Sequence, residues 1–341
     1  MKHKLIALYI CIFLLFVGGG IFIIPVYLNR PVNKSGESVL YSIARGSSVK
    51  MIANSLAEEN LIRSATYALF YTRFQNLSLK AGTYRLSPAM SSTDILRYIA
   101  SGKQETLRVT IPEGLTLSKT ALHLEKAGVV PVDDFLKAAS DKKLLAEFGI
   151  PFNSAEGFLF PDTYFFPYGV DASSVVHLMV KTFFQKISGL QEKNDTATSL
   201  SLYDTVILAS IIEREYRIPE EAPVIASVFM NRLHIGMGLQ SCATIEYIIT
   251  EIEKKPRQVR LTADDLEIKS DYNTYLWAGL PPGPICSPGL VSLSAAFTPA
   301  KTHYLYFRLV DAEDGRHAFT SSLDEHIKAG RQLILKKVPE N

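Results

Sequence analysis

The sequence predicts an α+β protein, and three observations lead to that prediction. Apolar and polar residues alternate over Leu79–Leu86 and Tyr304–Val310, which predicts strands. Apolar residues at helical spacing dominate the chain after residue 131, which predicts helices. At 341 residues the chain exceeds the size of most single domains, so we expect two folded units after an apolar N-terminal segment.

The N-terminal segment Leu5–Leu28 contains no charged residue. As a helix rising about 1.5 Å per residue it would be roughly 36 Å long, enough for a hydrocarbon core of about 30 Å. Basic residues at 2–4 precede it, which predicts a cytoplasmic N-terminus. The sequence therefore predicts that residues 1–30 are a cytoplasmic stub and a transmembrane helix, in a single-pass protein of the inner (cytoplasmic) membrane whose remaining chain is extracytoplasmic. A cleaved signal peptide fits less well, because the apolar stretch is longer than usual and no clean cleavage site follows.

Residues 31–105 are predicted to be a linker followed by a small α+β module. Leu40–Ile62 and Arg108–Val130 match at an offset of 68 residues, and each copy predicts a strand, a Gly turn and a helix with Ser or Thr near its start. Ser91–Ala100 predicts a capped helix closed by Gly102. The module resembles a LysM-like fold, for which glycan binding and a purely structural role are both open.

Residues 106–341 are predicted to form a larger α+β domain. Its Glu156–Tyr164 segment is aromatic and contains Pro, which favours a loop or an edge strand. Glu313–Gly315 suits a hairpin turn, and a closing helix is predicted from Ser321 onward. Further helices are predicted at Val132–Ala139, Ser173–Ile187, Leu202–Tyr216 and Pro219–Leu233.

Composition argues against several functional classes. Lys and Arg number 36 against 34 Asp and Glu, a net charge of +2, and no basic stripe interleaved with aromatic residues is present, so nucleic acid is not expected as a partner. The seven His residues lack metal-ligand spacing, and neither a nucleophile elbow nor a P-loop occurs. The sequence predicts no metal and no cofactor.

The helix predicted at Leu202–Tyr216 has a broad apolar face and carries Glu213 and Glu215 only near its end. A carboxyl group beside such a surface is partly desolvated, which raises its pKa toward the range of a general acid. By position alone, the favoured interpretation is that both are surface carboxylates paired with Arg214, Arg217 or a neighbouring helix. The residues alone do not decide between Glu213 and Glu215 as the general acid.

Several ordered motifs together resemble the endolytic murein transglycosylase (YceG-like) family over essentially the whole chain. They are Glu156–Tyr164, Ala209–Glu215, Ala226–Leu233, Gly238–Gln240, Tyr272–Tyr275, Gly279–Gly283, Lys301–Phe307 and Gly315–Phe319.

The resemblance implies that residues 106–341 are a catalytic transglycosylase domain with Glu213 as the catalytic residue. The implied enzyme is a lytic transglycosylase that cuts nascent peptidoglycan strands at the MurNAc–GlcNAc bond, leaves 1,6-anhydro-MurNAc ends and terminates elongation. One carboxylate suffices because the sugar supplies its own nucleophile, whereas most hydrolases need two. Implied partners are peptidoglycan strands, the membrane and cell-wall synthases. The alternatives are a muramidase-like hydrolase and a non-catalytic glycan-binding membrane scaffold.

Other residues in the matched motifs are candidates for substrate binding. Glu156 could hold a sugar or stabilise positive charge in the transition state, or it could cap a helix or bind Arg232. The remaining candidates could bind sugar, or could satisfy buried backbone groups in a loop-rich region. They are Gln240, Thr244, Tyr272, Asn273 and Thr274.

The chain departs from the family where Gln-x-Asp-Pro-Thr is common, since Gln240–Thr244 reads QSCAT and lacks that Asp. Cys242 in this segment and Cys286 in another matched region are the cysteines outside the apolar N-terminal segment. Their positions in two motifs expected to line one region predict a Cys242–Cys286 disulfide. Two buried free thiols are the alternative.

Overall fold

The computed structural model describes residues 23–194, 200–258, 260–310 and 314–337, and its architecture is α+β. The chain divides into two compact units. The first comprises Met1–Leu107 and Phe165–Tyr168, and the second comprises Arg108–Tyr164 and Gly169–Asn341.

The transmembrane helix is the part of the predicted fold that is wrong. Within the described ranges, no helix is both long enough and apolar enough to cross a membrane. Most of Leu5–Leu28 lies outside the described residues, and the helical residues described at its end are 23–29, here α1. At about 1.5 Å per residue they span only about 10 Å. The predicted single-pass, inner-membrane localisation depended on this helix and is corrected with it.

The first unit contains a two-stranded sheet covered by helices. Its strands pair antiparallel, with Val39 opposite Leu86 and Ile43 opposite Gly82. Tyr41 and Tyr84 on the sheet and Leu56 on a helix contribute to one buried core. The elements are β1 (Val39–Ile43), α2 (Val49–Glu58), α3 (Ala65–Phe74), β2 (Gly82–Leu86) and α4 (Ser92–Ser101).

Two further short sheets complete the described strands. β3 (Thr106–Thr110) pairs with β4 (Thr163–Pro167), and β5 (Tyr306–Leu309) pairs antiparallel with β6 (His317–Thr320). The other helices are α5 (Leu117–Lys126), α6 (Val132–Ala139), α7 (Lys142–Glu147), α8 (Ala172–Asn194), α9 (Leu202–Glu215), α10 (Ala222–His234), α11 (Cys242–Tyr247), α12 (Leu290–Phe297) and α13 (Leu323–Lys337). Pro219–Glu221 and Asp264–Glu267 are 3₁₀ turns, and Ile248–Ile252 is a π-helical turn.

The internal repeat is confirmed as a local structure. Ser48 and Thr116 cap α2 and α5, and each side-chain oxygen accepts a backbone N–H three residues further on. Gly46 and Gly114 precede these caps with φ of 82° and 72°, a left-handed conformation that other residues adopt at a cost. Each copy therefore has the predicted strand, Gly turn and capped helix.

Helix α9 is buried on all sides along Thr205–Ile212, and only its ends carry charge. The Ser210 hydroxyl accepts the N–H of Ile285 at 3.0 Å, which fixes the segment before α12 against α9. Ser287 in that segment exchanges two backbone hydrogen bonds with residues 114–115, at 2.9 and 2.8 Å. Three segments distant in sequence thus meet at the carboxyl end of α9.

Candidate active site

Glu213, on the last turn of α9, is held by the N-terminus of α12. Its Oε2 accepts the backbone N–H of Gly289 at 2.9 Å and the hydroxyl of Ser292 at 2.6 Å. Gly289 is the N-cap residue of α12, so the positive end of the helix dipole faces the carboxyl group. Burial raises the pKa of Glu213, and the hydrogen bonds from Ser292 and Gly289 oppose that rise. The structure therefore places a half-buried carboxyl of raised pKa where a general acid is predicted.

Two neighbouring groups shape the electrostatics around Glu213. The negative charge of Glu113 raises its pKa further, while the positive charge of Arg214 lowers it. Glu113 packs so closely on Gly289 that a Cβ there would lie 2.0 Å from the Glu113 Oε1. Sequence reasoning missed Glu113, although the Gly114 turn beside it was visible in the repeat.

Glu215 lies on a different side of the same helix end. Residues two apart on a helix point about 200° from each other, which separates the two carboxylates. Glu215 accepts a short hydrogen bond from the Ser241 hydroxyl. Burial raises its pKa, and Ser241 and the nearby His317 lower it. Glu213 and Glu215, between which the sequence could not choose, therefore lie in two different environments. Glu213 is bound by the N-terminus of α12, and Glu215 is bound by Ser241.

Glu156 caps helix α5. Both of its carboxyl oxygens lie 3.0 Å from the backbone N–H of Leu117, the first residue of that helix. The side chain is buried, with 8% of the residue exposed, and this burial raises its pKa to about 8. Arg232 is not its partner, because that guanidinium donates to the carbonyls of Leu305 and Leu239 at 2.6 and 2.7 Å. Of the roles weighed from the sequence, helix capping is the one this geometry matches.

Glu156 and Tyr272 line one cavity of about 580 Å³. Tyr247 lines the same cavity, and its ring centroid lies 5.1 Å from that of Tyr272. An aromatic face can stack on a sugar ring, and a carboxyl group beside it can hydrogen-bond to the sugar hydroxyls. Glu213 is not among the residues that line this cavity.

The other candidate residues divide between buried and accessible positions. Asn273 is fully buried, and its amide donates to the carbonyls of Leu266 and Ile268 at 2.9 and 2.8 Å. Thr244 and Thr274 are buried and lie 3.0 Å apart through their hydroxyls. These three hold a loop together, as one alternative predicted.

Gln240 is exposed and adopts φ of 51°. It lines a second cavity of about 510 Å³ together with Glu215. The structure therefore brings Gln240 together with Glu215, and Glu156 together with Tyr272.

The predicted Cys242–Cys286 disulfide is wrong, because both thiols are free. Cys242 is exposed, and its sulfur lies 3.1 Å from the Tyr275 hydroxyl. Cys286 is fully buried against α9, where its thiol donates to the Ser210 carbonyl at 3.2 Å. The two sulfurs contact different neighbours. The prediction rested on two motifs expected to line one region, and that expectation does not specify which way each thiol points.

Fold and site together define an α+β protein with a half-buried acidic residue at the end of a buried helix, and comparison with known proteins narrows this class. The YceG-like family pattern matches residues 41–332. The chain belongs to the YceG-like family, which confirms the resemblance found in the sequence.

Individual relatives match most of the chain. An endolytic murein transglycosylase of Bacillus subtilis (strain 168) is 32% identical over 340 residues, covering 94% of this chain and 91% of the relative. One from Streptococcus pneumoniae (strain ATCC BAA-255 / R6) is 28% identical, covering 86% of this chain but 58% of the relative. A crystal structure of a YceG-like protein from Listeria monocytogenes, 33% identical, has a TM-score of 0.57 and covers 86% of this chain and 99% of that one.

Proposed function

We propose that this chain is a lytic transglycosylase that cleaves peptidoglycan glycan strands, with Glu213 as its single acid and base. The observation that carries the proposal is the seat of Glu213 on the N-terminus of α12. Gly289 and Ser292 both bind Oε2, so Oε1 is the oxygen that can hold the transferable proton. Partial burial favours the protonated form, which a general acid needs at the start of the reaction.

The proposed reaction needs one carboxyl group used twice. Glu213 gives its proton to the glycosidic oxygen of the MurNAc–GlcNAc bond as that bond breaks. The resulting carboxylate then takes the proton of the C6 hydroxyl of the MurNAc residue, whose oxygen bonds to C1. The product is a 1,6-anhydro end, no water is consumed, and Glu213 is protonated again. Cuts within nascent strands would terminate their elongation.

The relatives support this chemistry. Those from B. subtilis and S. pneumoniae are named endolytic murein transglycosylases, and the match to the first spans nearly the full length of both chains. We place catalysis in residues 106–341. Gln240 and Tyr272 line cavities where they can contact the glycan, while Thr244, Asn273 and Thr274 shape the loops beside them. Glu156 borders the cavity of Tyr272 as the cap of α5.

The test is mass spectrometry of the products formed from uncrosslinked peptidoglycan strands by the full chain and by Glu213→Gln. Glu215→Gln is the matched control, because it makes the same change two residues away. We expect anhydro-ended fragments from the wild type and from the control, and none from Glu213→Gln. Reducing ends would instead indicate a muramidase-like hydrolase. Strand binding without fragments from any variant would indicate a non-catalytic scaffold.

A further inference from the structure

The cavity beside Glu215 is rich in positive charge. Among the described residues that line it, four are arginines and one, Glu215, carries a carboxylate. The arginines are Arg214, Arg217, Arg232 and Arg308. Four guanidinium groups against one carboxylate give the wall a formal excess of three positive charges. Such a cavity attracts an anionic group.

Two of these arginines are already engaged. Arg214 forms an ion pair with Glu246 at 3.0 Å. Arg232 is buried and donates to the backbone carbonyls of Leu305 and Leu239, which fixes it as part of the wall. Their hydrogen bonds leave little capacity for a ligand.

The other two arginines have no acidic partner among the residues that the structure describes. Arg217 is exposed and forms no ion pair with another described residue. Toward the described residues, Arg308 donates one long hydrogen bond, 3.4 Å from Nη1 to the His326 carbonyl. Its Nε is buried without a hydrogen-bond partner, as is Nδ1 of His326. A buried guanidinium N–H without an acceptor costs free energy, which an incoming anion would recover.

The remaining wall indicates which anion fits. Tyr275 and Tyr306 present aromatic rings, and Leu239, Leu309 and Leu323 present alkyl groups. A ligand with a carboxylate next to small alkyl side chains satisfies both the arginines and this apolar surface. An inorganic phosphate group would use only the charge. The planar fork of an arginine also matches a carboxylate through two parallel hydrogen bonds.

The cavity is close to the proposed catalytic residue along the chain. Glu215 lines it, and Glu213 is on the same last turn of α9. The two side chains point to different sides of the helix, so a branch on a sugar at Glu213 must pass around the helix end to reach the cavity. A branch of five residues can extend to about 17 Å, which is longer than the helix diameter of about 10 Å. In peptidoglycan that branch is a short peptide bearing free carboxylates.

We propose that this cavity binds a carboxylate of the peptide branch carried by the glycan strand, with Arg308 and Arg217 as its ligands. The identity of the substrate rests on the function proposed above. The cavity then selects strands that carry peptides over bare glycan, while Glu213 acts on the sugar backbone.

The first test compares kcat/KM for peptide-bearing strands with kcat/KM for strands stripped of peptide by an amidase. We expect Arg217→Gln and Arg308→Gln each to lower the ratio of the two values about tenfold or more, since hydrogen bonds to charged groups are lost. Arg260→Gln removes an exposed arginine outside the cavity and should keep the wild-type ratio. Thermal unfolding checks each variant, and Arg217→Gln carries the test if Arg308→Gln fails to fold. An unchanged ratio in folded variants would overturn the proposal.

The second test measures binding without requiring cleavage. A synthetic stem pentapeptide is titrated by calorimetry against the full chain, alongside the same peptide with its carboxylates amidated. We expect the free acid to bind the wild type at least tenfold more tightly than the amide and to lose that advantage in Arg217→Gln. Equal binding of the two peptides, or binding of inorganic phosphate alone, would refute the assignment. A wild type that cleaves neither strand would overturn the proposed function, and peptide binding would still decide the role of the cavity.

Discussion

Glu213 and Glu156 occupy similar local positions and differ in what they can reach. Each carboxyl group accepts a backbone N–H at the start of a helix, Gly289 before α12 and Leu117 in α5. Burial raises the pKa of both. Glu156 is nearly inaccessible, and both of its oxygens face one N–H, whereas Glu213 is only half-buried and uses Oε2 alone. The raised pKa reflects burial at both residues. What distinguishes the candidate acid from the helix cap is whether a substrate can reach the carboxyl group.

The largest expected effect is the difference in activity between substitutions at these two sites. Glu213→Gln should lower kcat/KM for strand cleavage by about 10² to 10⁴, because the proton donor is removed. Glu156→Gln keeps an acceptor for the Leu117 N–H and should cost less than about tenfold. The rate of fragment release, followed by chromatography, measures both. Equal losses would mean that Glu156 takes part in the chemistry.

Stability as a function of pH gives the second test. The pKa of Glu156 is about 8 in the folded chain, against an ordinary value of 4.5. Between these values the folded state holds a proton that the unfolded state releases, so this group makes stability fall as pH rises. Glu156→Gln should therefore gain stability relative to the wild type by up to about 1.4 kcal/mol for each pH unit in that window.

Denaturant unfolding of the wild type and Glu156→Gln at pH 5, 6, 7 and 8 measures this difference. Glu213→Gln is the comparison, since that carboxyl is less buried and should show a smaller trend. A difference that stays constant with pH would show that Glu156 is ionised throughout.

Ser292→Ala tests the hydrogen bonding that distinguishes the Glu213 seat. The Ser292 hydroxyl lowers the pKa of Glu213, so its removal should raise that pKa and shift the alkaline limb of kcat/KM to higher pH. Loss of the hydrogen bond should also cost about 1 kcal/mol of stability. Ser294→Ala, on the exposed side of the same helix, is the matched control and should move neither quantity. A limb that stays in place would remove Ser292 from the site.

Glu113→Gln should give the smallest effect and the opposite sign. The charge of Glu113 raises the pKa of Glu213, so neutralising it should move the alkaline limb to lower pH. Because Glu113 is exposed, the shift should shrink in 0.5 M salt. Glu267→Gln makes the same charge change at another exposed position outside the candidate site. If Glu267→Gln moved the alkaline limb by the same amount, the effect of Glu113→Gln would come from the net charge of the protein and not from its position near Glu213.

The sequence predicted local structure well wherever the pattern was periodic or capped. Helix α6 has the predicted bounds, Val132–Ala139, and α4 has its Ser91 cap and Gly102 end as predicted. Helix α12 was missed because Leu290–Phe297 is apolar on nearly every side and offers no amphipathic period. The membrane span predicted from Leu5–Leu28 is wrong, since no helix among the described residues is long and apolar enough to cross a membrane.

By itself the sequence determined the family, the helix that carries Glu213 and the repeat that places Gly114, because these depend on local order along the chain. Only the tertiary structure decided which groups surround each carboxylate. Gly289, Ser292 and Glu113 reach Glu213 through contacts between segments that are distant in sequence. The same packing turned Glu156 into a helix cap and left the two thiols apart. Hydrogen bonding and burial depend on those long-range contacts. Local patterns of apolar and polar residues in one sequence do not predict which distant segments meet or with what geometry.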